Sequence, residues 1–445
     1  MKVLLHKQKQ LTSFQIIIFG FAGVILTGTI LLTLPFAAAG GQRTSFADAL
    51  FTATSSVCVT GLVIQDTATY WSVFGQFIIM LLIQIGGMGV ITVAAFFAML
   101  SGRKITLMQR STMQEAIAAP KMGGIVRLTG FIIKTALLIE FLGAVVMAPV
   151  FCQDFGVKRG VWMALFHSVS AFCNAGFDLM GVSSPFSSLT SYVSHPVINL
   201  VIMLLIVTGG IGFLTWDDIR TNRLHLSKYR MQSKVILCTT AALILFPALY
   251  FFFSEFGGLP LGERVWSSFF QSVTPRTAGF NTVDLTEISE AGQMLMIVLM
   301  LIGGSPGSTA GGMKTTTVAV LVAVASSVFS RKEYTHFFGR SISDETVRNA
   351  AAIVLMYIVL FLGGGMSISI AEGLPLVPCL FETASAIGTV GLSLGLTPEL
   401  GTLSRIILIA LMFFGRVGGL TLIYAALSGM HKNTAKFPHE KITVG

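Results

Sequence analysis

Charge is what this sequence has least of. Only 11% of its 445 residues are Asp, Glu, Lys or Arg, against roughly 25% in soluble globular domains, which excludes an ordinary water-soluble fold. Cysteine is also scarce. Cys58, Cys152, Cys173, Cys238 and Cys379 form no CxxC pair and no metal-ligand spacing, so neither a disulfide framework nor a thiolate metal site is supported. Tryptophan is rare, 4 residues against 35 Phe, a balance that suits a surface facing lipid.

What is abundant is long apolar sequence. Residues 14–35, 72–100, 128–150, 196–214, 235–253, 293–329, 350–371 and 403–428 each reach or approach the ~20 residues needed to cross a ~30 Å hydrocarbon layer. The first is too long for a cleaved leader and has no small-residue cleavage site after it. The reading is an all-α integral membrane protein with eight transmembrane helices.

The net charge of +9 reports topology, not a nucleic-acid partner. Lys2, Lys7 and Lys9 precede the first run, and Arg103, Lys104, Arg110, Lys121 and Arg127 follow the second. Arg220, Arg223, Lys228, Arg230 and Lys234 follow the fourth, Arg331, Lys332, Arg340 and Arg348 the sixth, and Lys432, Lys436 and Lys441 lie in the tail. All fall on one side of an eight-span topology, which the positive-inside rule makes cytoplasmic, with both termini. The opposite loops carry mainly acids: Asp66, Asp154, Asp178, Glu255, Asp284, Glu287, Glu290, Glu372 and Glu399.

Between the runs of each successive pair lies a short half-apolar segment, and the four align on one glycine: FTATSSVCVTG, FHSVSAFCNAG, FFQSVTPRTAG and FETASAIGTVG, ending at Gly61, Gly176, Gly279 and Gly391. A Phe stands ten residues before each glycine (Phe51, Phe166, Phe269, Phe381), and a Ser stands six before it in three (Ser55, Ser170, Ser385), with Val273 the exception. Each following helix carries a Gly-Gly pair: Gly86-Gly87, Gly209-Gly210, Gly303-Gly304 and Gly418-Gly419. Small residues there let helices approach closely in lipid. The chain therefore divides into four helix–pore loop–helix repeats, 1–123, 124–231, 232–345 and 346–445, with pseudo-fourfold symmetry.

A segment this short cannot span, and irregular backbone at membrane depth survives only inside protein or along a watery cavity. Four such loops converging on an axis can offer carbonyl oxygens in place of the hydration shell of a cation. The candidate filter residues are Cys58-Val59-Thr60-Gly61, Cys173-Asn174-Ala175-Gly176, Arg276-Thr277-Ala278-Gly279 and Gly388-Thr389-Val390-Gly391. The last matches the TVG core of potassium-channel filters, but none carries the full TVGYG, so a shorter, less regular filter is expected.

The sixth run is about forty residues long and would reach ~60 Å as one helix, twice the hydrocarbon core. Its centre reads Gly303-Gly304-Ser305-Pro306-Gly307-Ser308-Thr309-Ala310-Gly311-Gly312-Met313-Lys314. Pro306 and the glycines oppose a continuous helix. Residues 303–313 are read as an intramembrane loop partly closing the conduit, the alternative being a kinked helix with no gating role. Gly307–Thr315 narrowly misses a phosphate-binding G-x-x-x-x-G-K-[ST], spoiled by Met313 and lacking the preceding strand that motif needs.

Arg416 lies midway along the last apolar run, where a charge costs several kcal/mol unless it avoids lipid. It is expected to face the pore, as a barrier that could donate to carbonyls of the 303–313 loop; the alternative is a buried ion pair with Glu140. Lys134 is expected to snorkel, and Arg276 to lie behind the filter or at the outer mouth.

With four glycine-ended loops, an interrupted second helix in the third repeat and a basic residue in the last helix, the sequence resembles the membrane subunits of bacterial Ktr potassium transporters, in the Trk/Ktr/HKT superfamily. The resemblance implies potassium uptake in a bacterial cell membrane, since in that family glycine in the first loop goes with potassium selectivity and serine with sodium permeation. It also implies a homodimer with one pore per chain and a cytosolic ring of nucleotide-binding, ATP/ADP-sensing regulatory subunits. The cytoplasmic segments 101–127, 216–234, 330–348 and 430–445 are too short to house a sensor domain. No cofactor beyond potassium in the filter is expected, and no enzyme: His167 and Glu382, each nine before a loop glycine, sit in pore helices without a nucleophile or metal motif. A symporter coupling potassium to sodium or protons is the alternative, with Glu140 the one clear midmembrane carboxylate.

Overall fold

Thr12 starts the first helix. Its hydroxyl accepts the Gln15 amide while the Gln15 side chain accepts the Thr12 amide, a capping box ahead of α1 (Ser13–Leu32). The structure, a computed structural model, describes residues 12–101, 105–119, 121, 123–419, 421 and 440. Lys2, Lys7, Lys9, Arg103, Lys104, Lys432, Lys436 and Lys441 lie outside the described residues, as does the end of the last apolar run.

The first repeat continues with α2 (Phe46–Val57), α3 (Val73–Met88), α4 (Val90–Leu100) and α5 (Leu107–Ile117). The second holds α6 (Ile125–Phe155), α7 (Val157–Phe172), α8 (Pro196–Gly210) and α9 (Phe213–Asn222). In the third, α10 (Met231–Tyr250) runs into a π-helical turn over Phe251–Glu255, then α11 (Leu261–Val273), α12 (Glu290–Leu301) and α13 (Thr315–Phe329). A two-stranded hairpin, β1 (His336–Phe337) and β2 (Arg340–Ser341), leads to α14 (Asp344–Glu372), α15 (Leu376–Gly388) and α16 (Thr402–Val417). The hairpin and the π turn carried no signal strong enough to be read beforehand.

Among the described residues four helices are long and apolar enough to cross a membrane singly: α1, α6, α10 with its π turn, and α14. Runs 72–100 and 196–214, read from sequence as single spans, are instead pairs, α3–α4 bent by 94° and α8–α9 by 98°. The bends sit at Gly89 (φ 85°) and Gly212 (φ 91°), and Gly418 (φ 89°) ends α16 in the same conformation. Only glycine adopts this backbone cheaply, so the chain can turn within one residue.

The short helices α7 and α15 pack along α6 and α14, and α2 and α11 along α1 and α10. Phe51, Phe166 and Phe381 are fully buried in this packing. Phe269 is not. Its neighbour Phe270 takes the buried place, so the third repeat runs one residue short between pore helix and glycine.

Candidate functional site

The four aligned glycines form a closed ring of neighbours. A Cβ built on Gly61 would lie 2.4 Å from the Ala175 carbonyl oxygen; on Gly176, 2.8 Å from that of Ala278; on Gly279, 2.3 Å from that of Val390; on Gly391, 2.2 Å from that of Thr60. Each loop thus sets the carbonyl of its penultimate residue against the glycine of the loop before it, and the chain closes the circle. A side chain at any of the four positions would force the facing backbone to shift.

The backbone is strained here in a repeating way. The glycines have positive φ, and so do the residues two before them: Val59 (57°), Asn174 (59°), Thr277 (69°) and Thr389 (52°). Left-handed backbone is rare for branched residues such as Val and Thr; each costs on the order of 1–3 kcal/mol and persists only where surroundings over-determine it. The aligned glycines point to positive φ at their own positions, but Val and Thr give no hint of the second set.

A hydroxyl holds each loop. Ser55 and Ser385 accept the amides of Gly61 (3.1 Å) and Gly391 (2.9 Å), while Ser170 donates to the carbonyl of Phe177 (2.7 Å). In the third repeat Thr274 donates to the carbonyl of Phe280 (2.5 Å). Thr274, one residue past the exceptional Val273, therefore does the work of the missing serine, in keeping with the one-residue shortening there.

Cys58 and Cys173 cap α2 and α7, and Gly388 ends α15, so these first residues of the candidate loops close the pore helices. Arg276 is buried behind the third loop, donating to the Thr240 carbonyl (3.4 Å), and its own carbonyl accepts the Asn174 side chain (3.3 Å). It does not reach the outer mouth.

Residues 302–314 leave the helix at a narrow neck. Gly303 donates to the Met313 carbonyl (2.8 Å) and Thr315 to that of Gly304 (3.0 Å). From the neck the loop reaches under its neighbours. Thr309 donates through its amide to Gly209 (3.2 Å) and through its hydroxyl to the carbonyl of Phe172 (3.1 Å); Ser305 donates to Gly210 (2.9 Å) and Gly312 to Gly415 (3.1 Å). Gly311 lies so close to the Thr389 side chain that a Cβ would stand 2.2 Å from its hydroxyl. Lys314 donates to the carbonyls of Ala310 (2.8 Å) and Gly311 (3.2 Å), which ties its ammonium to the loop and not to a phosphate.

Arg416 donates to the carbonyls of Thr309, Gly86 and Gly87, the last at 3.1 Å. It bridges the loop to the end of α3 and does not pair with Glu140. That carboxylate instead accepts from the Gln84 amide, at 3.0 and 3.1 Å, and from the Cys173 thiol at 3.8 Å. The partner of Gly86 in the fourth repeat is also corrected. Gly86, Gly209 and Gly415 each abut the carbonyl four residues before their own loop's glycine, those of Val57, Phe172 and Ile387. Gly415, not Gly418, is thus the equivalent glycine, and Arg416 occupies the place of Gly87 and Gly210. The common signal is G-x-x-G, at 86/89, 209/212 and 415/418, not the Gly-Gly pair.

His167 donates or accepts locally, at the carbonyl of Met163 (2.7 Å) and the amide of Leu179 (3.2 Å). Glu382 accepts from Ser393, Leu394 and Thr397, at 2.6, 3.1 and 2.5 Å. Both fix the chain after a loop glycine. On the side of the ring away from the 303–313 loop opens a cavity of about 860 Å³, bordered by all four glycines and by Asp66, Asp178, Glu263, Asp284, Glu287 and Glu399. Burial pushes the Asp178 carboxyl up to about 7, with the neighbouring Asp66 adding to the effect, while the Met180 amide opposes it.

Residues 5–434 match the model of the TrkH family, described as cation transport protein. The potassium/sodium uptake protein NtpJ of Enterococcus hirae is 40% identical over 449 residues, covering 98% of both chains. The Ktr system potassium uptake protein B of Bacillus subtilis is 37% identical, covering 99% of this chain and 98% of that one. Among solved structures, the potassium transporter TrkH of Vibrio parahaemolyticus superposes with a TM-score of 0.73 at 20% identity, over 95% of this chain and 86% of that one.

Proposed function

The chain belongs to the TrkH family of cation transport proteins, and from that premise we propose that it takes up potassium across a bacterial cell membrane through a channel-like pore. Eight spans and four re-entrant loops, with both termini cytoplasmic, would carry the four repeats. The observation that supports this best is the ring of four glycines, each closed by the carbonyl of the next loop. Backbone oxygens fixed in this way can replace the waters around a dehydrated cation. The acidic cavity on one side of the ring is suited to gather cations.

On the other side, residues 303–313 and Arg416 form the gate. The loop narrows the path with backbone, and the guanidinium adds positive charge on the cation route. Two copies of the chain associate, and a cytosolic nucleotide-binding ring works the gate from the basic inner face. These assembly steps rest on the relatives, one of which is named for a Ktr system.

Rubidium uptake into proteoliposomes tests the proposal, measured against competing potassium and sodium and with and without a cytosolic regulator. Uptake suppressed by potassium far more than by sodium is the result expected. Uptake that requires a sodium or proton gradient would favour a symporter instead.

A further inference from the structure

A second cavity, of about 650 Å³, lies between the N-terminal end of α6 and the helix α9. Four cationic side chains border it, Lys121, Arg127, Arg220 and Arg230, with one acid, Asp217. Arg230 is occupied, bonded to Asp217 at 2.8 Å and close to Asp218 at 3.5 Å. Lys121, Arg127 and Arg220 form no ion pair among the described residues, so the cavity keeps a net positive charge. Its floor is the start of α6, where Gly123 and Gly124 leave open space and no side chain caps the first amides. Uncapped amides at a helix start favour an anion.

The walls say which anion. The Arg220 guanidinium lies 4.7 Å from the centre of the Phe131 ring, so the basic floor gives way to apolar surface within two turns of α6. Arg127, Phe131, Lys134, Leu138, Phe141 and Val145 follow one another at helical spacing along one stripe. Leu138, Phe141 and Val145 are half or more exposed on a helix built to span a membrane. A ligand with a phosphate head and an apolar tail fits this sequence of surfaces; a free anion would use only the floor. Basic pockets beside spans on the cytoplasmic face have the chemistry to hold anionic headgroups.

Residues adjoining the cavity on both sides touch the loop of residues 303–313. The carbonyl of Ile117, at the end of α5 and just before Ala119 of the cavity, lies against Gly307, where a Cβ would be 2.4 Å away. From the other wall, Phe213 donates its amide to the Gly307 carbonyl at 2.7 Å, one residue before Leu214 of the cavity. The geometry points to a site for the headgroup of an anionic phospholipid, which clamps α9 against the start of α6 and thereby sets the position of Gly307. The effect on flux rests on the reading of this loop as the gate; the binding does not.

The test uses the full chain purified into vesicles of phosphatidylcholine alone or mixed with phosphatidylglycerol. Lipid retained by the protein is read by native mass spectrometry and rubidium flux is read in parallel. Wild type should retain phosphatidylglycerol, and its flux should differ several-fold between the two vesicle types. In K121Q/R127Q/R220Q, retention should fall about fivefold per cation removed and the flux ratio should approach one, whereas R127K/R220K keeps both. Should the triple variant not fold, R220Q and K121Q singly must each show a partial loss. Undiminished retention in the neutralised variants overturns the site. The same flux change produced by inorganic phosphate in phosphatidylcholine vesicles overturns the lipid and leaves free phosphate as occupant. Lost response to a regulator with retention intact makes the pocket a protein interface and overturns it likewise. Retention lost with flux unaltered overturns the coupling to Gly307, and a separate deletion of residues 304–312 then judges the gate itself.

Discussion

Replacing Gly61 by serine should cost potassium preference, and the structure ranks the same change at the other three loops. At Gly61 the new Cβ would stand 2.4 Å from the Ala175 carbonyl oxygen, while ordinary contact begins at 3.4 Å. One of the two backbones must therefore move by about 1 Å, since neither can rotate away like a side chain. The φ of 91° adds about 1–3 kcal/mol of strain for any residue with a Cβ. A tenfold loss of preference for potassium over sodium needs only ~1.4 kcal/mol, well within that sum. Gly176 is the lenient position: its Cβ would have 2.8 Å, and its φ of 69° lies nearest to the left-handed region that side chains tolerate. Serine at Gly391 or Gly279, with 2.2 and 2.3 Å, should harm selectivity at least as much as at Gly61, and serine at Gly176 least. Sodium competition against rubidium uptake by the four purified variants reads the order directly. Unchanged preference in a folded Gly61→Ser protein would refute the filter assignment, and equal damage at Gly176 would refute the steric argument.

Deleting residues 304–312, or replacing Arg416 with Ser, should raise flux and weaken dependence on a regulator while leaving potassium preference largely intact; low, fully regulated flux in a folded deletion would remove the gate from this segment. Cysteines placed at Asp178 and Asp284 should react with an impermeant thiol reagent from outside, and cysteines at Ser111 and Asn222 should not, so the reverse labelling would overturn the orientation. Asp178, with its carboxyl raised to about 7 by burial, is protonated below that pH and gains its charge above it. The apparent KM for potassium should therefore fall as external pH rises from 6 to 8. Asp178→Asn should flatten that profile, and an unchanged slope in the variant would assign the effect elsewhere. The same raised value means that ionising Asp178 works against folding, so the asparagine variant should melt higher than wild type at pH 8 and lose that advantage near pH 4.

The resemblance to the Trk and Ktr proteins, drawn from loop glycines, the broken helix and Arg416, is borne out by the family match over residues 5–434. Helices and loop positions were legible because apolar run length and glycine register are one-dimensional signals. The bends at Gly89 and Gly212 were hidden by the same token. Both lie inside unbroken apolar runs, and a glycine in such a run looks the same whether it packs, as Gly86 does, or turns the chain by 94°. The offset in the third repeat was half visible, since Val273 broke the serine pattern, but that Thr274 replaces it depends on a loop one residue shorter. The partner of Arg416 was open because charge asks for charge in sequence. In the structure three backbone carbonyls serve in place of Glu140.

Those carbonyls were available for a reason that joins the bends to the loop. A helix leaves its last carbonyls without intrahelical partners, and in lipid each would cost several kcal/mol if left so. Breaking α3, α8 and α16 at Gly89, Gly212 and Gly418 creates three such ends beneath the ring of loop glycines. Gly86 and Gly87 are satisfied by Arg416, Gly209 and Gly210 by the amides of Thr309 and Ser305, and Gly415 by that of Gly312. Residues 303–313 are therefore bonded directly to the ends of α8 and α16, two bonds at each, and reach the end of α3 only through Arg416. If this segment is the gate, straightening α8 or α16 would return the carbonyls of Gly209, Gly210 or Gly415 to their own helices and withdraw them from the loop, so that loop release and helix straightening would be one event. A partner gripping α9 would then need no contact with the loop to move it.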